Sequence, residues 1–176
     1  MAKETLKKLK NEIVSKQFLN CYSRQFSPES PEELERLLSD LKNEYNKNIY
    51  VEIDIRAFED YETEEEDVKA LLELINRKLT AKGLEPVHRQ AYSLATALSR
   101  WSETLDTKTL LVFHCFHDRY SEKEKDILRS LRKAISNKDR ISGYLRILIT
   151  SNRKISTWEL FPESNLDDRH VTPFEY

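Results

Sequence analysis

The run Thr109-Leu-Leu-Val-Phe-His-Cys-Phe-His-Asp118 decides the reading of this chain. Four uninterrupted apolar residues, Leu110 to Phe113, predict a strand buried on both faces, since a half-wet strand would alternate apolar and polar residues. Burial on both faces is the habit of parallel sheets held between two helix layers. The strand then presents His114, Cys115, His117 and Asp118 at its carboxyl end. Ligands of open α/β sheets sit at that end, so these four residues are the first functional candidates.

Working outward, residues 49–55 (Ile-Tyr-Val-Glu-Ile-Asp-Ile) form the clearest alternating strand, and residues 144–150 (Tyr-Leu-Arg-Ile-Leu-Ile-Thr) read as another. Residues 18–22 are a short apolar strand candidate, and 171–174 a short edge strand. Between them lie helical patterns. Leu6, Leu9, Ile13 and Val14 give a stripe over 3–15. Ser30, Pro31 and Glu33 carry a helix-start signature followed by Leu34, Leu37, Leu38 and Leu41, reaching about Tyr45. Thr63 and Glu66 make a second capping box, followed by Val68, Leu71, Leu72, Ile75 and Leu79, with Gly83 as the stop. A further helix is expected from about Pro86 to Glu103, and another after Ser121. Strands alternating with helices predict right-handed crossovers and an α/β, three-layer sandwich with a mostly parallel four- to five-stranded sheet. The expected organisation is an N-terminal helix over 1–16 and one compact domain over 17–176.

Composition narrows the function classes. The 176 residues carry 29 basic and 31 acidic side chains, a formal net charge of −2, with 34% charged residues overall. That balance makes no demand for nucleic acid or an anionic membrane. No apolar run approaches the ~20 residues that span a bilayer. Only Cys21 and Cys115 are present, which argues against a disulfide framework and for a cytoplasmic location. Glycine is the outlier: Gly83 and Gly143 are the only two, where average usage predicts about a dozen. Neither sits where a backbone cradle for phosphate would need it.

In order and spacing, residues 17–176 resemble the P-loop ATPases of the STAND and AAA+ type. Tyr50-Val-Glu-Ile-Asp-Ile-Arg56 looks like the second strand of that family, Leu110 to Phe116 like its Walker B strand, and Leu145 to Arg153 like its sensor strand, ending in Ser151 and Asn152. The resemblance implies a P-loop NTPase-like sandwich, with the lid subdomain expected to be missing. The departures fall on the chemistry. Where the phosphate loop belongs, the chain reads Arg24-Gln-Phe-Ser-Pro-Glu-Ser-Pro-Glu-Glu33, with no glycine, no Lys followed by Ser or Thr, and carboxylates at Glu29, Glu32 and Glu33. Ser27, Glu29 and Ser30 thus stand at degenerate phosphate-loop positions, and His114 and Cys115 at the two acidic positions of Walker B. The pattern resembles the inactive STAND modules of bacterial signalling and conflict systems. It implies no bound nucleotide, no cofactor and no ATPase activity.

Other chemistries compete for the same residues. Asp54, Asp60, His114, His117 and Asp118 could make a divalent-metal site for a nuclease or phosphoesterase, with Glu52 on the same strand face as Asp54. Adjacent residues of one strand point to opposite faces, so His114 and Cys115 are not expected to share an ion. A zinc site on His114, Cys115, His117 and Asp118 would need His88 and His170 brought in by the fold. A cysteine after four apolar residues more often packs as a small hydrophobe than acts as a nucleophile. The basic cluster Arg129, Arg132, Lys133, Lys138 and Arg140, with Arg146 and Arg153, is a candidate anion or nucleic-acid surface, but it is interleaved with acids and reads rather as a solvated helix face. The reading that follows is a non-catalytic module meeting a protein partner or a second copy, through the acidic rim 59–67 or the loop 157–174. The metal-dependent enzyme is the rival.

Overall fold

The computed structural model describes residues 2–26, 32–45, 48–58, 60–87, 93–115, 123, 125–130, 142–155 and 172–176. Its frame is a five-stranded, all-parallel sheet in the order β2-β3-β4-β1-β5. The strands are β1 (Phe18–Tyr22), β2 (Ile49–Asp54), β3 (Thr109–Cys115), β4 (Leu145–Ser151) and β5 (Thr172–Glu175). The helices are α1 (Ala2–Ser15), α2 (Glu32–Glu44), α3 (Glu64–Ala81) and α4 (Leu94–Glu103), with a 3-10 turn at Ile55–Phe58 after β2. Residues 123 and 125–130 are also helical.

Strand order fixes the layers. From β1 the chain crosses to the far edge at β2, then steps back through β3 and β4 and on to β5. Right-handed crossovers in opposite directions put their helices on opposite faces. The cores agree. On one face Val51, Ile53, Leu111, Phe113, Ile147 and Ile149 pack with Leu71, Ile75, Leu98, Trp101, Ile127 and Leu128. On the other, Leu19, Tyr50, Leu110, Val112 and Leu148 pack with Leu9 and Ile13 of α1 and with Leu34, Leu37, Leu38 and Leu41 of α2. All seven residues of β3 are buried, as its unbroken apolar run requires. The α/β sandwich expected from the sequence is the fold observed.

Local chemistry explains the element ends, including those the sequence misplaced. At α3 the Thr63 hydroxyl accepts from Glu66 N at 3.2 Å, while the Glu66 carboxylate accepts from Thr63 N at 3.3 Å and Glu62 N at 2.8 Å. Such a box is worth ~1 kcal/mol or more. Gly83 adopts φ +72, the left-handed conformation that ends a helix cheaply. The helix expected from Pro86 begins only at Leu94. Ser93 caps it by accepting from Thr96 N, and Val87 is held outside it by the Asn76 side chain, which accepts from Val87 N and donates to Val87 O. β3 runs through His114 and Cys115, two residues past its apolar stretch. β2 stops at Asp54, where the Asp54 carboxylate accepts from Arg56 N at 2.9 Å and turns the chain. Val14, assigned by periodicity to the buried stripe of α1, is instead 58% exposed. Trp101, with its indole 1% exposed, belongs to the core. No described helix is long and apolar enough to cross a membrane.

Candidate functional site

The connections leaving β1 and β4 run in opposite directions, so the gap between the carboxyl ends of these neighbours is the topological switch point. It is tied shut. Asn20, fully buried in mid-strand, donates to Ile149 O and to the Ser151 hydroxyl, and accepts from Ile155 N. The Ser151 hydroxyl in turn donates to Arg153 O at 2.6 Å. Ser151 is therefore a latch between β1 and the turn leaving β4. The Asn152 side-chain oxygen beside it is buried and has no hydrogen-bond donor among the described residues.

The turn leaving β1 uses its amides internally. Ser23 N donates to Ser151 O at 3.1 Å, Gln25 N to the Ser23 hydroxyl at 3.2 Å, and Phe26 N to Ser23 O at 3.1 Å. Phe26 is 1% exposed, packed among the leucines of α2 and stacked on Tyr176 with ring centroids 5.7 Å apart. A phosphate cradle needs amides aimed outward around an anion; three of the four here are already engaged. Ser27, Glu29 and Ser30, the expected phosphate-loop positions, lie outside the described residues, as do His88, His117, Asp118, His170, residues 157–171 and the cluster Arg132, Lys133, Lys138 and Arg140.

His114 is placed by alternation. Odd-numbered Phe113 and Cys115 face the α3 side, so His114 faces the α2 side, together with Glu52, Asp54 and Thr150 of the flanking strands. Its Nε2 lies 2.6 Å from Glu52 Oε1, and its Nδ1 bonds to the Thr150 hydroxyl. With Nε2 protonated, the ring donates to the carboxylate and accepts from Thr150, which satisfies all three groups. Lys42 of α2 closes the chain, with Nζ 3.0 Å from Glu52 Oε2 and 5.6 Å from the Tyr50 ring centroid. The hydrogen bond from His114, aided by Lys42 against partial burial, lowers the Glu52 pKa to about 2. Burial first, then the Glu52 carboxylate, pushes the Tyr50 phenol well above its ordinary range.

A carboxylate, an imidazole and a hydroxyl in line have the form of a hydrolase relay. The burial rules that use out for Thr150. Thr150 is 0% exposed and His114 8%, so no substrate carbonyl reaches the hydroxyl. The arrangement is a brace across three strands.

The structure brings His114 and Glu52 together; of the expected metal set it describes Asp54, Asp60 and His114, while His117 and Asp118 lie outside the described residues. Asp54, paired in register with His114, is occupied by Arg56, whose Nη2 stands 2.7 Å from Oδ2. Partial burial works against the Asp54 charge, but the Arg56 hydrogen bonds and positive charge prevail and hold the carboxyl below its ordinary value. Asp60 is exposed in the turn beyond. Among the described residues no three His, Cys, Asp or Glu side chains converge on one ion position. Cys115 is buried in the opposite core, as alternation required, and Cys21 is buried with its thiol pushed up to about 12 by desolvation. The acidic rim is partly internal: Asp67 is 3% exposed and ion-paired with Lys123 at 2.7 Å. Arg129 pairs with Asp126 at 3.6 Å, consistent with a solvated helix face.

Thr150, Lys42 and Asn20 were not among the sequence candidates. Asn20 carried a usable signal, since an amide inside a short apolar strand needs buried partners. Thr150 and Lys42 carried none, because their role depends on strand register and helix docking.

No family model matches this chain, and no curated protein matches it. Solved structures do. A chain in the structure of Drosophila ORC bound to poly(dA/dT) DNA and Cdc6 superposes with a TM-score of 0.58 at 10% identity, over 98% of this chain and 28% of that one. One in Drosophila ORC bound to AT-rich DNA and Cdc6 gives 0.57 at 12% identity, over 98% and 28%. One in Drosophila ORC bound to DNA gives 0.53 at 13% identity, over 99% and 89%. The chain thus spans about 28% of the length of the first two. Identities this low speak for fold alone: the chain has a P-loop NTPase-like α/β sandwich.

Proposed function

We propose that this chain is a non-catalytic, P-loop-like module that works by contact with another protein, either a partner chain or a second copy. The observation that carries the reading is the turn Ser23–Phe26, three of whose four amides are consumed within the fold and whose phenylalanine is sunk into the α2 core. The side chain at the first Walker B position adds support, since His114 is committed to Glu52 and Thr150. With nucleotide chemistry removed and the sandwich retained, surface recognition is the use left to the fold. The sequence resemblance to inactive STAND modules points to a bacterial signalling or conflict system as its setting. The DNA in the ORC structures belongs to those assemblies, and the charge balance of −2 gives this chain no comparable claim.

Thermal melting with and without millimolar Mg-ATP or Mg-GTP, run alongside a phosphate-release assay, tests the proposal. Ligand at 100 times its Kd would add about 2.7 kcal/mol. The expected result is an unchanged midpoint and no phosphate release. A rise of several degrees with either nucleotide, or turnover lost on mutating residues at the strand ends, refutes it.

A further inference from the structure

At the opposite pole of the sheet, where the strands begin, a cavity of about 380 Å³ opens between the end of α1, the end of α2 and the turns entering β3 and β4. Val14, Tyr45 and Tyr144 form its apolar wall, Lys108 and Arg146 supply two cations, and Ser142 and Gly143 complete the lining. Three features set it apart from ordinary surface. Among the described residues four large apolar side chains are exposed, Val14, Tyr61, Leu84 and Tyr144, and two of the four line this cavity. Its volume lies in the range of ligand pockets, about 300–1,000 Å³. Both charges in the described lining are positive, with no carboxylate to answer them.

Part of that charge has a structural use. Arg146 Nη2 donates to Val14 O at the end of α1, whose last turn holds no basic residue of its own. That bond takes one of the five guanidinium donors and fixes the group at the cavity wall. Lys108 is exposed at the rim.

We propose that this cavity is a docking site for a peptide segment of a protein partner, taking one aromatic or aliphatic side chain between Val14, Tyr45 and Tyr144 and an adjacent carboxylate on Lys108 and Arg146. The inference rests on the protein-contact reading above and names the surface and the partner's chemistry. An exposed tyrosine, Tyr144, beside two cations has the composition of an interface anchor. The site is remote from the strand carboxyl ends, so it owes nothing to the degenerate nucleotide position.

The test is amide NMR of the whole chain titrated with acetyl-Phe-Glu-amide, against acetyl-Phe-Gln-amide and phenylacetate. Saturable shifts at Val14, Lys108, Gly143 and Tyr144 are expected with the Glu peptide, at least tenfold weaker with the Gln peptide. Lys108→Glu, a change at an exposed side chain, should weaken binding at least tenfold. Gly143→Leu should block the cavity with the fold intact, because a Cβ there meets no atom within 4 Å and its φ is not positive. No shift at millimolar peptide, equal binding of Glu and Gln peptides, or binding unaffected by both variants overturns the proposal. Tighter binding of phenylacetate than of the peptide overturns it in favour of a small free acid. Mg-ATP added to the same samples separates the two readings: a nucleotide response defeats the non-catalytic assignment whatever the peptide does, whereas peptide failure alone removes only this cavity.

Discussion

Replacing His114 with alanine tests the account of the strand ends most directly. The substitution removes a charge-assisted hydrogen bond to Glu52 and a neutral one to the buried Thr150 hydroxyl. A bond to a charged group contributes about 1.5–3 kcal/mol and a neutral one about 0.5–1.5. Water entering the space left by the ring recovers some of this, so a net loss of about 2–4 kcal/mol is expected. For a chain of this length that corresponds to a fall in Tm of about 5–15 °C. The loss should also depend on pH in a defined direction. Glu52 has its pKa depressed in the folded protein, from its ordinary 4.5 to about 2, chiefly by His114. Its contribution is therefore fully present above about pH 4.5 and disappears as pH falls through about 2. At about 1.36 kcal/mol per pKa unit the ceiling is about 3 kcal/mol, and a carboxylate with 29% of its side chain exposed retains about 1–2 of that after screening. Urea denaturation of the parent and of His114→Ala, from pH 7 down to 2.5, measures both quantities. The parent should lose stability more steeply below pH 4.5 than the variant does. Adding Glu52→Gln in a double-mutant cycle should return a coupling of about 1–2 kcal/mol at pH 7. A cost below 1 kcal/mol with parallel pH profiles would refute the brace and leave His114 free for other chemistry.

Three further outcomes follow from the same geometry. Asn20→Ala strips partners from Ile155 N and the Ser151 hydroxyl, and should cost about 2–4 kcal/mol while raising amide exchange at 152–155 before the rest of the sheet opens. Asp67→Asn leaves the Lys123 ammonium, only 16% exposed, without its counter-charge; a loss of about 2–4 kcal/mol in urea melts is expected, and a change under 0.5 would show the pair to be solvated. Cys21 and Cys115 should react with a thiol reagent in the native protein at least ~100-fold more slowly than in urea, since both are buried; fast native labelling of either would contradict the packing.

Much of the fold could be read from local pattern, because its causes are local. The unbroken apolar run of β3, the capping box at Thr63 and Glu66, and the alternation in β2 each name an element without reference to the rest of the chain. The errors also have local appearances and distant causes. Residues 86–93 carry helical composition, yet Asn76, on another helix, holds Val87 outside α4. Val14 has the right spacing for burial, but the end of α1 overhangs the cavity at the sheet margin.

The candidate site divides the same way. Sequence alone determined the residue types at the strand ends: a histidine and a cysteine at the end of β3, and no glycine in the turn after β1. It also determined that His114 and Cys115 part company, because side chains alternate along any strand. What His114 does was decided only by tertiary structure. Parallel register sets Thr150 beside it and Glu52 diagonally across, and the docking of α2 brings Lys42 onto Glu52 from 10 residues away in sequence. Register and helix docking are set by the whole hydrophobic interior at once, so no short stretch of the chain encodes them.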